Sequence, residues 1–209
     1  MNAKMKYLSY IVARDYGFAP NPFHNTCTLA TCKPKLRKAA KIGDWIIGTG
    51  SVQHKSNGKL VFAMQVSEKL TYDEYWNDER FISKRPVMEG SLKLMYGDNI
   101  YHSDESNNWM QENSHHALEN GGLNEKNLKT DTGGMYVLIS SKFYYFGKKC
   151  IDISQDILSD ICCSTQGWKY VNEQSGASLI AHLEQNYLAK RLGFPLQLSG
   201  KFKRYEGNK

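Results

Sequence analysis

Two strand-like runs on either side of a short polar turn constrain the fold most strongly. Asp44 to Ser51 (DWIIGTGS) and Lys59 to Lys69 (KLVFAMQVSEK) are rich in β-branched, aromatic and other apolar residues, whereas His54 to Gly58 between them is polar. This pattern is typical of a β-hairpin. Lys6 to Arg14 (KYLSYIVAR) has the same strand-like composition. We therefore expect a β-sheet at the centre of the fold, with its first strand near the amino terminus.

Helical patterns alternate with these strands, so the sequence predicts an α+β fold. Pro34 suits the first turn of a short basic helix that Gly43 can close. Thr71 is a candidate cap for a second helix. Apolar residues at helical spacing predict the longest helix at about residues 176 to 192, with basic residues in its last turn. Met135 to Phe146 (MYVLISSKFYYF) predicts one late strand in the core.

Residues 83 to 134 have few periodic apolar positions and are rich in Asn, Asp, Ser and Gly. A long irregular stretch of this kind in a compact domain is usually functional or mobile, so we expect part of the functional site there. The chain has 209 residues and shows no internal repeat and no clear linker. This length fits one domain over residues 1 to 209.

The composition excludes several classes of protein. Hydrophobic residues make up 41% and charged residues 23% of the chain, as expected for a globular protein with a packed core. No apolar run approaches the ~20 residues that cross a bilayer, and no secretion signal is recognisable, so no membrane partner is expected. The five cysteines are odd in number, and Cys162 and Cys163 are adjacent, which favours a reducing compartment. We therefore expect a cytoplasmic protein.

Several basic residues are candidates for phosphate contacts. The chain has 27 Lys and Arg against 21 Asp and Glu, a net charge of +6, which has the sign that phosphate partners favour. Lys35, Arg37 and Lys38 lie in the short basic helix, and Arg14 follows the first strand. A solvent-exposed basic face explains this helix equally well, so both interpretations stay open.

Aromatic side chains and a glycine-containing strand end are candidates for the walls of a ligand site. Aromatic rings stack on extruded bases, although core packing is their commoner role. Gly48 to Ser51 (GTGS) matches neither the P-loop nor the dinucleotide-binding pattern, so it predicts a pocket wall rather than a phosphate cradle. The predicted ligand-binding residues are Arg14, Tyr16, Phe18, Lys35, Arg37, Lys38, Trp45, Thr49, Ser51, Asn99 and Tyr101.

Histidines and carboxylates within the irregular stretch are candidates for catalysis. His102, His115, His116 and Asp131 can together transfer protons or bind a metal, with Asp104 as a further candidate. A purely structural hydrogen-bonding role is the alternative. In an extended segment His115 and His116 would point to opposite faces, so at most one would reach a given site. No zinc motif is present, so no cofactor is predicted, and a divalent metal remains an open alternative.

Several segments together resemble the second nucleotide modification associated domain family of bacteria and phages. The resemblance covers about residues 7 to 150 and implies an association, by genomic company, with DNA base modification and phage defence. It implies no established activity. The segments that carry it are VARDYGFAPNPF (Val12 to Phe23), CTLATCKP (Cys27 to Pro34), GDWIIGTGS (Gly43 to Ser51), YGDNIYH (Tyr96 to His102), SHH (Ser114 to His116) and FYYFG (Phe143 to Gly147).

A fainter resemblance concerns the architecture. The order of a first strand, a helix, GDWIIG and a strand that ends in Val66 to Glu68 is similar to PUA-like barrels, including the EVE and ASCH groups. That resemblance implies a mixed β-barrel with flanking helices and a long irregular insertion. It also implies an aromatic-walled cleft for a modified base, with Trp45 and Ser51 on or beside it.

These observations lead to three hypotheses about function. The first is a binding module for a modified base, nucleotide or nucleic acid, with DNA favoured as the partner. The second is a metal- or histidine-dependent enzyme that acts on a nucleotide or base, so whether the protein is an enzyme stays open. The third is a protein-interaction component of a modification or defence system. Convergence of the histidines and carboxylates within hydrogen-bonding reach beside the glycine-rich strand end would favour the enzyme.

Overall fold

The computed structural model describes residues 4 to 165 and 167 to 205. Its strands, in chain order, are β1 (Tyr7–Ile11), β2 (Cys27–Leu29), β3 (Trp45–Thr49), β4 (Lys59–Gln65), β5 (Glu68–Leu70), β6 (Tyr101–Ser103), β7 (Trp109–Gln111), β8 (Val137–Ser140), β9 (Lys142–Tyr145), β10 (Ile151–Asp152) and β11 (Trp168–Tyr170). Its α-helices are α1 (Pro34–Ala39), α2 (Tyr72–Asn77), α3 (Leu92–Met95), α4 (Glu125–Thr132), α5 (Leu158–Ile161) and α6 (Glu173–Asn186). Short 3-10 helices cover Val52–His54, Glu79–Lys84 and Gly147–Lys149.

A six-stranded mixed sheet organises the fold. β1 and β3 run parallel at its centre, β4 pairs antiparallel with β3, and β11 pairs antiparallel with β1. β9 and β10 pair with successive parts of the other edge of β4. The predicted hairpin is therefore confirmed, and so is the first strand. The parallel pair β1 and β3 requires a crossover, which the segment containing β2 and α1 provides.

Two smaller sheets complete the strand pairing. β8 lies between β2 and β5 in an antiparallel sheet of three strands, and β6 pairs with β7 in a hairpin. The single strand predicted over Met135 to Phe146 is wrong. It is divided at Ser141 into β8 and β9, which join different sheets.

The α+β class is confirmed, but the PUA-like barrel is not. In the described part of the chain all three sheets are open, and none closes on itself. The six-stranded sheet ends at β11 on one side and at β9 and β10 on the other. The prediction of one domain over residues 1 to 209 stays a prediction.

The two faces of the central sheet bury different cores because side chains alternate along each strand. Tyr7 and Trp45 face α6, where Gly176 approaches the Tyr7 ring so closely that a Cβ atom would lie 2.3 Å from it. Leu8 and Tyr10 face the opposite core, which includes Leu36 of α1. The second face of the sheet therefore positions the residues around Cys32.

Helix boundaries follow the capping residues more closely than the apolar pattern. Thr71 caps α2 as predicted, in a reciprocal hydrogen-bonded arrangement with Glu74. The longest helix, predicted at residues 176 to 192, is α6, which begins after its cap Asn172 and ends at Asn186. The basic residues expected in its last turn, Lys190 and Arg191, therefore lie beyond the helix.

The predicted irregular segment, residues 83 to 134, is shaped by short elements. It contains α3, the β6–β7 hairpin and α4, which Asn124 caps. The sequence did not predict α4, because this helix is polar over most of its surface and has only Leu128 as a large apolar residue. No helix among the described residues is long and apolar enough to cross a membrane.

Candidate functional site

A cavity of about 420 Å³ opens beside the carboxyl end of β1. Four regions that are distant in sequence form its wall: the end of β1 with the following loop, the segment between β2 and α1, a turn before α4, and α4 itself. Tyr205 of the carboxyl-terminal segment completes the wall. The residues that line it are Tyr10, Ile11, Val12, Ala13, Arg14, Tyr16, Phe18, Ala19, Cys32, Lys33, His115, His116, Lys126, Asn127, Thr130, Asp131 and Tyr205.

Three of these residues form a hydrogen-bonded line of thiol, imidazole and carboxylate. The Cys32 sulfur lies 3.9 Å from Nε2 of His116, and Nδ1 of the same ring lies 2.7 Å from Oδ2 of Asp131. A carboxylate can only accept a hydrogen bond from the ring, so Nδ1 carries a proton and donates a hydrogen bond to Asp131. The other ring nitrogen faces the thiol. This is the order of nucleophile, base and orienting carboxylate used in thiol catalysis.

Asp131 is fixed in the last turn of α4 by bonds to both of its carboxylate oxygens. The backbone N–H of Cys32 donates to Oδ1 at 2.7 Å, and the Tyr101 hydroxyl donates to Oδ2 at 2.9 Å. The Arg37 guanidinium and the Tyr72 hydroxyl donate to the backbone carbonyl of Asp131, at 2.6 Å and 2.7 Å. The carboxylate is therefore held in one orientation toward His116.

The charges of the pair favour a protonated imidazole next to the thiol. Burial by itself would lower the pKa of His116, but attraction to the Asp131 carboxylate and the hydrogen bond to it raise the pKa to about 10. Burial pushes the pKa of Asp131 upward, but the charge of His116 and its hydrogen bond, together with the Arg37 charge and the Cys32 backbone N–H, hold the pKa below its ordinary value. An imidazolium beside a cysteine is the environment that stabilises a thiolate.

The backbone at Cys32 has an uncommon conformation. Cys32 and Lys33 have φ angles of 58° and 41°, in the left-handed region that non-glycine residues seldom adopt. The two residues follow β2 by a short loop and precede Pro34, the first residue of α1. Such conformations occur preferentially at functional sites, where the surrounding structure holds them. Here they turn the Cys32 side chain into the cavity.

His115 lines the same cavity as a neutral ring. His115 and His116 lie in a turn rather than in the extended segment that would point them to opposite faces, and both line the cavity. Burial and the neighbouring charge of His116 lower the pKa of His115 to about 3. Its Nδ1 donates to the backbone carbonyl of Lys203 at 2.5 Å. The His115 ring therefore forms part of the cavity wall and holds the carboxyl-terminal segment through its hydrogen bond to Lys203.

Aromatic rings and cations surround the triad. The ring of Phe18 packs 4.7 Å from that of His116, and the Tyr205 ring lies 5.2 Å from it on another side. The Arg14 guanidinium stacks on Tyr205 at 4.4 Å. Asp131, the single acid on the described wall of the cavity, is paired with His116. The cavity therefore combines planar apolar surfaces with positive charge.

The carboxyl-terminal segment is anchored where it meets the cavity. The backbone N–H of Tyr205 donates to the carbonyl of His115 at 2.7 Å, and the Asn127 amide donates to the carbonyl of Tyr205 at 2.5 Å. Arg204 donates to the carbonyl of Ser114 at 2.6 Å. These bonds hold Tyr205 against the turn that carries both cavity histidines.

Seven of the predicted site residues lie at the cavity or directly behind it. Arg14, Tyr16 and Phe18 line it together with His115, His116 and Asp131. Tyr101 lies behind the wall, where its hydroxyl supports Asp131. The structure thus brings together two of the predicted aromatic residues, Tyr16 and Phe18, and three of the four predicted catalytic residues.

The remaining catalytic candidates lie elsewhere. The ring of His102 stacks on Trp76 at 3.9 Å, and its Nε2 lies 3.1 Å from Glu112. Asp104 accepts hydrogen bonds from Ser106 and Asn108 and stabilises the turn between β6 and β7. Neither residue lines the cavity.

The predicted pocket wall of the central sheet also lies apart from the cavity. Trp45 is buried on the face of the sheet that packs against α6, where it stacks on Tyr144. The Thr49 hydroxyl donates to the carbonyl of Tyr10, and Ser51 is buried at the strand end. The Asn99 amide donates to two backbone carbonyls within the 72–84 region. Trp45, Thr49, Ser51 and Asn99 are therefore buried within the protein and do not line the cavity.

The basic helix α1 divides into an exposed and a buried part. Lys35 and Lys38 are exposed and do not line the cavity. Arg37, which we predicted as a phosphate contact, is 0% exposed and donates to four oxygens of the protein. A phosphate cannot reach it without displacing these partners.

Sequence reasoning missed Cys32, Lys33 and Tyr205 as site residues. Cys32 was considered only as one end of a zinc-like pair with Cys27, which is buried on the far side of the segment. A lone cysteine just before a helix, with a histidine elsewhere in the chain, was the available signal for a nucleophile. In residues 4 to 165 and 167 to 205, no group of three or more His, Cys, Asp or Glu could hold a metal ion.

Comparison with known proteins gives the family. The model for nucleotide modification associated domain 2 matches residues 4 to 202, nearly the whole chain. The chain belongs to this family. The match includes every described member of the triad and of the cavity wall except Tyr205. No curated protein and no solved structure matches the chain.

Proposed function

We propose that this member of the nucleotide modification associated domain 2 family is a cysteine-dependent enzyme that acts on a group attached to a nucleotide or base. The observation that carries the proposal is the line from Cys32 through His116 to Asp131 on the wall of one cavity. The family places the chain in a nucleotide-modification context, which supports a nucleotide-derived substrate.

The residues take the following roles in the proposed reaction. The Cys32 sulfur attacks the carbonyl carbon of an acyl group, and His116, which already holds the thiol proton, donates it to the leaving amine or alcohol. Asp131 keeps the ring oriented and stabilises its charged form. Water then attacks the thioester, and its proton returns through His116 as the thiol is restored. The net reaction is hydrolysis, with no cofactor consumed.

The dimensions and lining of the cavity support a mononucleotide or an extruded base as the bound group. A volume of about 420 Å³ falls within the range of small-molecule sites and is too small for a duplex. Tyr16, Phe18 and Tyr205 offer faces for a base, and Arg14 and Lys33 supply positive charge for a phosphate. We propose DNA modification and phage defence as the biological setting of this activity.

Selective chemistry at Cys32 tests the proposal. Iodoacetamide at pH 7 should alkylate Cys32 faster than the other four cysteines, as measured by peptide mass spectrometry. Asp131→Asn should slow this alkylation at least about tenfold, because the charge that keeps His116 protonated is removed. An exposed acid outside the cavity, Glu105, provides the matched control Glu105→Gln. Alkylation of Cys32 no faster than that of Cys150 would exclude the enzyme.

A binding module for a modified base or nucleic acid is the second candidate. The aromatic and basic lining of the cavity favours it, because that lining does not depend on Cys32. Native mass spectrometry with a panel of normal and modified nucleotides and short DNA distinguishes the two. Binding without turnover, equal in the wild type and in Cys32→Ala, supports the binding module. A covalent adduct or a converted nucleotide that requires Cys32 supports the enzyme.

A further inference from the structure

Tyr10 is a residue of the cavity wall that also carries the triad. It lies on β1, its side chain is 2% exposed, and it lines the cavity. The ring is held edge-on against Phe62 at 5.9 Å, and the Lys33 ammonium lies 5.1 Å from the ring centroid. Packing therefore fixes the position of the Tyr10 hydroxyl.

This hydroxyl is buried and has no hydrogen-bond partner among the described residues. Leaving a buried donor unpaired costs about 1 to 3 kcal/mol, so such a group calls for an explanation. Other buried tyrosines nearby are paired: Tyr101 donates to Asp131, and Tyr145 donates to Asp15. The Tyr10 hydroxyl is thus an unpaired donor on a residue of the cavity wall.

Two donors close to Cys32 are already occupied. The backbone N–H of Cys32 donates to Asp131 at 2.7 Å. The side-chain amide of Asn127 donates to the carbonyls of His116 and Tyr205, at 2.9 Å and 2.5 Å. Neither of these two donors is free to bind an oxygen of a substrate held at Cys32, whereas the Tyr10 hydroxyl is unpaired.

We propose that the Tyr10 hydroxyl donates a hydrogen bond to the carbonyl oxygen of the group that Cys32 attacks. This inference rests on the proposed function and assigns Tyr10 as a catalytic residue, the oxyanion donor of the same site. Burial, and next the nearby Cys32 sulfur, raise the pKa of Tyr10 well above its ordinary value, so the phenol keeps its proton at every pH of interest.

The proposed step balances without a further reactant except water. The Cys32 sulfur forms a bond to the carbonyl carbon, and the carbonyl π electrons move to oxygen, where Tyr10 stabilises the negative charge. When the carbonyl reforms, the leaving group departs with its electron pair and takes the proton held by His116. Preorganised donors of this type act in the transition state rather than in the ground state.

Two reagents separate this role from a general effect on the thiol. p-Nitrophenyl acetate acylates a thiol through an oxyanion, whereas iodoacetamide alkylates it by displacement at carbon without one. We expect Tyr10→Phe to slow acetylation of Cys32 about 100-fold and to leave its alkylation within about twofold of the wild-type rate. Mass spectrometry of the Cys32 peptide measures both rates, and Cys32→Ala gives the background release of p-nitrophenolate.

Tyr144→Phe is the matched control, since Tyr144 is a buried tyrosine outside the cavity, and both of its rates should remain at the wild-type value. Tyr10→Phe should also keep or raise the melting temperature, because it removes an unpaired buried hydroxyl. Unchanged acetylation in Tyr10→Phe, or an equal loss of acetylation and alkylation, overturns the role of Tyr10. If the wild-type Cys32 reacts with neither reagent, the proposed enzyme fails and this inference fails with it.

Discussion

Replacing Arg37 tests whether its buried side chain stabilises the fold around α1. The sequence identifies Arg37 as one of several lysines and arginines on a short basic helix, but its side chain is 0% exposed. Its guanidinium donates to the carbonyl of Cys32 at 2.8 Å, to the Tyr72 hydroxyl at 2.8 Å, to the carbonyl of Tyr136 at 2.5 Å and to that of Asp131 at 2.6 Å. Arg37→Met removes all four donors.

The expected loss of stability follows from these four bonds. Hydrogen bonds from a charged donor contribute about 1.5 to 3 kcal/mol each, an upper limit because the charge also costs several kcal/mol to bury. Methionine fills part of the space and removes that cost, but leaves three carbonyls and one hydroxyl without their donor. We expect Arg37→Met to lower the free energy of unfolding by about 3 to 5 kcal/mol. Arg37→Lys should lose at least about 2 kcal/mol, because one ammonium cannot replace the planar fork.

Urea denaturation followed by tryptophan fluorescence measures the effect, with Lys38→Met as the matched control. Lys38 is the next residue of α1 and is exposed, so its replacement should change stability by less than about 0.5 kcal/mol. If Arg37 were instead a phosphate contact, Arg37→Met would leave stability unchanged and would weaken binding to DNA in a salt-dependent manner. A loss below about 1 kcal/mol in Arg37→Met would refute the structural role.

Three further predictions concern the same region. Burial and the charge of His116 lower the pKa of His115 to about 3. Below pH 6.5 His115 therefore takes up a proton in the unfolded chain but not in the folded chain. Stability should therefore fall between pH 7 and pH 4.5 by about 2 to 3 kcal/mol more in the wild type than in His115→Gln, and equal losses in urea titrations would contradict this. Gly134→Ala should cost about 1 to 3 kcal/mol in the same assay, because its Cβ would lie 2.7 Å from the Arg37 guanidinium; an unchanged midpoint would show that this space can open. Cys27 is 0% exposed, and burial raises its pKa to about 12, so it should resist iodoacetamide in the folded protein and react only in urea. Labelling of Cys27 at the rate of Cys32 in the native state would contradict the described burial.

Local sequence signals predicted the elements whose stability is local. The β3–β4 hairpin followed from two apolar runs around a polar turn, and α2 followed from the cap at Thr71. The pairing partners of the strands could not be predicted as well from local sequence. The division of the strand predicted over Met135 to Phe146 between two sheets depends on which edges are free in three dimensions, and nothing within that segment encodes it.

The sequence also indicated part of the site, because residue type limits chemistry. His115, His116 and Asp131 stood out as groups that titrate or accept protons, and Tyr16 and Phe18 as planar rings. The choice between His102 and His116 could not be made, since the two share the same residue type and the same irregular segment. Only the fold places one ring at a thiol and the other against Trp76.

The sequence by itself determined the α+β class, the family, the positive net charge and the pool of residues able to do chemistry. The tertiary structure decided which of them meet. Cys32 and His116 are 84 residues apart in the chain, and Cys32 and Asp131 are 99 apart, yet hydrogen-bonding contacts join them. Periodicity reports which face of an element is buried, but contacts over such separations arise only from packing of the whole chain. The same packing buries Arg37, which the sequence predicts as a surface cation, and makes it an internal support of the candidate site. Burial and hydrogen-bond partners depend on neighbours that no local pattern contains.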